Sequence, residues 1–398
     1  MRCGVMCTRS SRQNTGYEAS GETSYETEDQ AVYERAVLTT PALAPWLQTQ
    51  LKSLLTQRGH AWLLSGPSGL GQFELAMALV RAWLCENPTP DGACGLCGSC
   101  HAVDVHTHAD LCLLMPETLS LELGWPLDEK TQDDLDSKKR KPSKEIKVDA
   151  AREAVSFTQF TRSRGSTKVV LVFPAERMNG ITANTLLKTL EEPPGAVKFI
   201  LATGAAHQLL PTIRSRCLSH TMHWPEFDEG LAWLQEAALA LNGRGDAKKA
   251  MQPIAASDLK TLLTAAGGRP ADALAWVQSG QASAMAQTWQ ALPKAMARGD
   301  VAALADLAPS QAVDALQKLC HDVWAVKAGA QPRFFNAADL PVMPSGRAVM
   351  FALAAWSKEL MATARTVEHP YNPGLMLESL ASRAKSALTP PPGRAHHR

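Results

Sequence analysis

Short unbroken apolar runs alternate with helical periodicity in the first half of the chain, and only helical periodicity continues in the second. Leu43, Trp46, Leu47, Leu51, Leu54 and Leu55 recur at helical spacing before Ala61-Trp62-Leu63-Leu64-Ser65, a run that predicts a buried strand. A Gly-rich stretch follows. From residues 74 to 85, Leu75, Leu79 and Trp83 beside Ala76, Val80 and Leu84 form one broad apolar face suited to a sheet. Two more buried-type runs, residues 168–173 and 197–202, flank a helical stretch through residues 182–190 that stops at Pro193-Pro194. Strands alternating with helices predict a parallel sheet covered by helices, an α/β fold. Beyond Trp224 the strand signals end. Helical patterns at residues 231–234, 259–263 and 270–277 lead into an Ala-rich stretch from Ala284 to Ser386, a second all-helical body.

The expected organisation is therefore a sequence of five segments. Residues 1–40 read as a disordered or non-native N-terminal extension, since they carry charges and no apolar core of a signal peptide. Residues 41–222 form the α/β domain, 223–283 a small helical domain, 284–388 a helical oligomerisation domain, and 389–398 a tail. Within the first domain, residues 117–147 carry Asp133, Asp134 and Asp136, then Lys138-Lys139-Arg140-Lys141, with almost no apolar period. They read as a solvated charged loop.

Length and charge narrow the possibilities. A chain of 398 residues exceeds what one hydrophobic core usually organises, so two or three domains are expected. With 40 basic and 39 acidic residues there is no basic excess of the kind that marks a dedicated nucleic-acid surface. No apolar run approaches the ~18 residues of a membrane helix. Nine cysteines, clustered in part at CxxC spacing, point to thiols kept reduced in the cytoplasm.

Two constellations carry chemistry. The stretch Gly66-Pro67-Ser68-Gly69-Leu70-Gly71-Gln72-Phe73 has the spacing and the strand-to-helix setting of a phosphate loop, and Gly66 and Gly71 keep its backbone. Such a loop needs Lys and then Ser or Thr after its last Gly, to reach the β/γ-phosphates and to hold Mg²⁺. Gln72 and Phe73 stand there instead. The strand ending at Phe173 lacks the following metal-holding Asp as well, being continued by Pro174-Ala175-Glu176. These losses predict a degenerate site with no intrinsic ATPase and no productively bound ATP. The second constellation is Cys85, Cys94, Cys97 and Cys100, enough thiolates to close a tetrahedral structural Zn²⁺ site with no vacancy for substrate. Such a site would staple a Gly-rich knob too polar to fold alone. His101, His106, His108 and Cys112 are substitute ligands.

The segment from Asn184 to Pro194, NTLLKTLEEPP, followed by Leu209-Leu210-Pro211-Thr212-Ile213-Arg214-Ser215-Arg216-Cys217, resembles the clamp-loader branch of the AAA+ ATPases. The cysteine spacing is similar to that of its bacterial subunits, and the resemblance covers roughly residues 41–383. It implies an AAA+ core with a zinc insertion, a helical lid and a helical collar. It also implies a non-hydrolysing subunit of the DNA polymerase III clamp loader, which loads the sliding clamp on primed DNA. The implied partners are gamma/tau ATPase subunits and a delta subunit. Carried over from the family, Arg216, within the Ser215-Arg216-Cys217 triplet, is an arginine finger reaching ATP on a neighbour, with Arg214 as a rival or an accessory. Thr203 keeps a polar residue where the family senses the γ-phosphate, whereas Ala271 replaces the Arg its ATPases carry before Asp272-Ala273-Leu274. The competing readings are an active ATPase subunit, which Gln72, Phe73 and Pro174 oppose, and a zinc-dependent DNA-binding module, which the neutral charge opposes.

Overall fold

The computed structural model describes residues 43–67, 69–244, 254–344, 346–367 and 372–389. The expected N-terminal extension, Ser68 of the Gly-rich loop and the tail past Thr389 lie outside the described residues. The chain divides into two compact units between Trp224 and Pro225.

The first unit is built on a parallel five-stranded sheet in the order β2-β3-β4-β1-β5, with β1 Ala61–Ser65, β2 Leu111–Leu114, β3 Lys168–Val172, β4 Val197–Thr203 and β5 Leu218–Thr221. The apolar runs foreseen for β1, β3 and β4 occupy its centre, where both faces are covered. Of the edges, β5 has no such signal, whereas β2 is itself a short apolar run, Leu111-Cys112-Leu113-Leu114, that the expected strands did not include. Alternation along each strand divides the side chains between two faces. Leu63, Val170, Val172, Phe199 and Leu201 point to a core completed by Ala151, Ala154 and Phe157 of α6 (Val148–Gln159) and by Ala183, Leu186 and Leu190 of α7 (Gly180–Glu191). Trp62 points the other way, toward α2 (Gln72–Leu84), and its ring meets that of Trp83 at 4.6 Å between centroids. Lys198 Nζ sits 4.3 Å from the Trp83 ring centroid, and burial in this aromatic setting lowers the ammonium's pKa. Helix α1 (Pro45–Leu55) packs beside α2 through Trp46, Leu47, Leu51 and Leu54.

Residues 117–147 are more ordered than a solvated loop. They contain α4 (Glu117–Glu122) and α5 (Glu129–Asp136), joined back to the unit by an ion-pair hub. Glu117 accepts from both terminal nitrogens of Arg140 at 2.5 and 3.1 Å, from Lys147 Nζ at 2.5 Å and from the Ser143 N–H at 2.8 Å. A charged run gave no apolar period from which to foresee this, because the order comes from paired charges. Lys139 and Arg140 also face Asp134, so half of the basic run is neutralised within the chain.

The second unit contains helices and no strand among its described residues. Helices α9 (Phe227–Arg244), α10 (Ala256–Ala265) and α11 (Pro270–Gln278) enclose one core around Leu234, Leu259, Leu263, Ala273 and Val277. A second core gathers Trp289, Leu292, Met296, Leu316, Leu319, Leu353, Trp356, Leu360 and Leu380 from α12 (Ala282–Arg298), α13 (Pro309–Lys327), α14 (Arg347–Thr366) and α15 (Pro373–Leu388). Helix α12 belongs to both, giving Ala282 and Ala286 to the first core and its later turns to the second. The boundary expected at residue 284 thus falls inside a continuous helix.

Candidate functional site

In a parallel sheet, ligand sites form beyond the carboxyl ends of the strands. Here Ser65 pairs in register with Thr203 on one side and Thr221 on the other, so the loops after β1, β4 and β5 open at one level. The Gly-rich loop follows Ser65. Gly69 and Gly71 take φ of 81° and 90°, and at Gly71 an added Cβ would meet Leu47 Cδ1 at 2.6 Å, so both left-handed backbone and close packing require Gly there.

Gln72 opens α2 and is buried, at 5% exposure. Its carboxamide turns back into the loop and donates to the carbonyl oxygens of Gly66 at 2.7 Å and Pro67 at 2.5 Å. The side chain thus lies within the turn that a phosphate would enter, carries no charge, and bonds to the loop's own acceptors. Phe73, where a metal-holding hydroxyl would stand, is half-buried with its ring 5.1 Å from that of Phe173 at the end of β3. Glu176, the weak stand-in for the missing Asp, accepts from Thr203 Oγ1 at 2.6 Å and from the Gly204 N–H at 3.1 Å. Thr203 Oγ1 in turn accepts from the Ala205 N–H at 3.0 Å. The acid and the hydroxyl that stand where an active site would place its metal and phosphate contacts are bonded to each other. Sequence spacing identified all these positions, but not that they satisfy one another.

The four expected thiols converge at the start of α3 (Gly98–Asp104). Sγ atoms of Cys85, Cys94, Cys97 and Cys100 all lie within 4.8 Å of one another, with Cys85 at 3.4 Å from Cys94 and 3.8 Å from Cys97. Zn–S bonds of about 2.3 Å in a tetrahedron place sulfurs ~3.8 Å apart, so the donor set fits a Zn²⁺ ion. Backbone amides are already aimed at the sulfurs: Cys94 N–H donates to Cys85 at 3.3 Å, Leu96 N–H to Cys94 at 3.5 Å, and the N–H groups of Glu86 and Cys100 to Cys97 at 3.5 and 3.4 Å. Burial raises the Cys97 thiol, but those two amides together with the neighbouring Cys100 and Cys94 side chains hold it down to about 6. The Leu96 amide lowers Cys94 likewise, whereas burial pushes Cys85 and Cys100 up. Among the described residues no histidine joins the cluster. His106 stacks on Trp125 at 3.7 Å, and His108 Nδ1 accepts from the Asp110 N–H at 3.1 Å. Cys112 is buried inside β2.

Arg216 follows α8 (Pro211–Arg214) and is 30% exposed at its side chain. It is held by Glu191, the last residue of α7, and by the Thr212 carbonyl oxygen. Ser215 Oγ donates to Thr212 O at 3.2 Å, and burial pushes the Cys217 thiol up to about 11. Arg214 is exposed, with no side-chain partner among the described residues. Residues 214–216 therefore offer one anchored guanidinium, Arg216, and one without a side-chain partner among the described residues, Arg214. No helix among the described residues is long and apolar enough to cross a membrane.

A family model described as "DNA polymerase III, delta subunit" matches residues 41–225. The chain is 35% identical over 228 residues to DNA polymerase III subunit delta' of Pseudomonas aeruginosa, covering 57% of this chain and 58% of that protein. It is 31% identical over 262 residues to the Escherichia coli subunit delta', covering 64% and 67%. To DNA polymerase III subunit tau of Escherichia coli it is 32% identical over 159 residues, covering 40% of this chain and 21% of that one.

Proposed function

The chain belongs to the DNA polymerase III subunit delta' family, and from that premise we propose that it is a non-hydrolysing subunit of a clamp loader. It helps load the sliding clamp on primed DNA during replication, in an assembly with gamma/tau-type ATPase subunits and a delta subunit. The first unit is the AAA+ core. Its cysteine knob carries one structural Zn²⁺, a closed site that fixes a loop and leaves no position for substrate. In the second unit the segment around α9 to α11 serves as the lid and the segment from α12 onward as the collar that packs against neighbouring subunits.

The observation that carries this reading is the Gln72 carboxamide bonded inside the Gly-rich loop to Gly66 and Pro67. A nucleotide phosphate would have to displace two hydrogen bonds and would find no cation in return. The chemistry left to the chain is to supply Arg216 to ATP held by a neighbour, where a planar guanidinium stabilises charge on the transferred phosphoryl group.

Equilibrium binding of labelled ATP to the isolated full chain, paired with clamp loading by complexes reconstituted with and without it, tests the proposal. Weak binding without turnover, together with loading that requires the chain, is the expected result. Tight Mg²⁺-dependent binding with phosphate release would replace it with an active ATPase subunit.

A further inference from the structure

Glu191 and Arg216 are 25 residues apart in sequence, and each lies within a motif singled out above: one the NTLLKTLEEPP segment, the other the Ser-Arg-Cys triplet. Arg216 Nε donates to Glu191 Oε1 at 2.6 Å, Nη2 donates to the same oxygen, and Nη1 donates to the Thr212 carbonyl oxygen at 2.8 Å. These bonds use the Nε hydrogen and one hydrogen on each terminal nitrogen. Each terminal nitrogen keeps its other hydrogen, and these two donors remain for the oxygens of an anion. A shallow pocket bordered by His60, Leu190, Glu191, Ser215 and Arg216 opens to solvent at this place. The pair is 46% and 30% exposed, so it adds little to folding stability.

An exposed Arg with its charge neutralised from one side and two donors left over is held for orientation. Arg214, close by, has no such hold among the described residues. We infer that Glu191 is a positioning residue for Arg216, fixing the guanidinium so that its two remaining hydrogens face the anionic phosphate of a nucleotide bound by an adjacent subunit. Glu191 itself touches no nucleotide. The inference rests on the proposed role of Arg216 and names the residue that makes that role geometrically reliable.

The experiment is a double-mutant cycle on the full chain: Glu191→Ala, Arg216→Ala and the double variant, with Glu191→Gln as the conservative control. Each is reconstituted with the ATPase and delta subunits, and kcat and KM for ATP are measured with clamp and primed DNA present. Melting temperature and assembly by gel filtration accompany each variant and are expected to match wild type. Arg216→Ala lowers kcat. Glu191→Ala lowers it in the same direction, on the order of 10-fold at the one site served, with KM little changed and a smaller drop in the bulk rate. Glu191→Gln keeps an acceptor oxygen and recovers part of the loss. The double variant is no slower than Arg216→Ala alone.

Wild-type turnover from Glu191→Ala beside a slow Arg216→Ala would reduce the pair to a surface contact and overturn the inference while leaving the finger intact. Faster turnover from Glu191→Ala would make Glu191 a mask, and independent, multiplying losses in the double variant would deny the coupling. Normal turnover from an assembled Arg216→Ala complex would instead remove the premise.

Discussion

Phe73 and Phe173 lie with ring centroids 5.1 Å apart and planes tilted by 35°, so the start of α2 and the end of β3 are joined by carbon where a phosphoryl-transfer site needs oxygen. Restoring the lysine alone leaves that contact in place. Gln72→Lys is expected to give no detectable phosphate release from the isolated chain, because no hydroxyl at 73 and no Asp after β3 hold Mg²⁺. Turnover by this single variant, in a sensitive phosphate-release assay, contradicts the account. Phe73→Ala is expected to lower stability by about 1 to 3 kcal/mol, from lost apolar burial and the lost ring pair, read by urea denaturation.

The cysteine knob gives a stoichiometric expectation. Protein purified under reducing conditions should carry one zinc per chain by elemental analysis, and Cys94→Ser with Cys97→Ser should abolish it, since two of the four thiolate donors are replaced by hydroxyls that stay protonated. Unchanged zinc in the double variant, or none in the wild type, rules the site out.

The central strands and the candidate sites were legible for a physical reason: a strand buried on both faces must be a continuous apolar run, and a metal or phosphate site depends on local spacing. Ala61–Ser65 and Lys168–Val172 show the first, the four cysteines the second. The edge strand β5, Leu218–Thr221, is mostly exposed and carries polar residues, so it had no apolar run to detect. Pairings between distant residues were also hidden. Nothing in the spacing of Glu191 and Arg216, or of Glu117 and Arg140, indicates that they meet; only the fold brings them together. Helix α12 shows the complementary limit, since an Ala-rich composition shift near residue 284 marks no break in a helix that serves two cores.

Glu117 supplies a pH test of the charged segment. Burial would raise its carboxyl, but Arg140, Lys147 and the Ser143 amide override burial and hold it down to about 2, against an ordinary value of 4.5. A carboxyl depressed in the folded state stabilises above its unfolded value and loses that contribution as pH falls toward its folded value. Glu117→Gln should therefore cost about 1 to 3 kcal/mol at pH 7. The gap from wild type should shrink progressively between about pH 4.5 and pH 2. Urea titrations of both proteins at pH 7 and pH 3 measure it, and an equal gap at the two pH values would show that the charge of Glu117 does not matter.

Asp322 makes the sharpest stability prediction for the second unit. It is fully buried in α13, and its two oxygens accept from the N–H groups of Arg333 at 2.9 Å, Phe334 at 2.6 Å and Phe335 at 2.8 Å, while His321 Nδ1 lies 2.8 Å from Oδ1. That nest fixes a segment which α12 uses directly: Trp289 Nε1 donates to the Phe334 carbonyl oxygen at 2.9 Å, and the Trp289 ring stacks on Phe335 at 4.8 Å. Asp322→Asn has nearly the same shape but turns an NH₂ toward backbone donors, leaving at least one buried N–H without an acceptor. Asp322→Ala leaves all three. Both should lower stability by roughly 2 to 5 kcal/mol, Ala more than Asn. Release of Phe335 should expose Trp289 and shift tryptophan emission to longer wavelength before global unfolding. Because the segment is tied by backbone bonds, replacing Phe334, which offers its N–H whatever its side chain, should disturb the nest far less than either Asp322 change. Thermal melting followed by fluorescence compares the three variants, and an Asp322→Ala protein as stable as Phe334→Ala would show that the carboxylate is not what holds the segment in place.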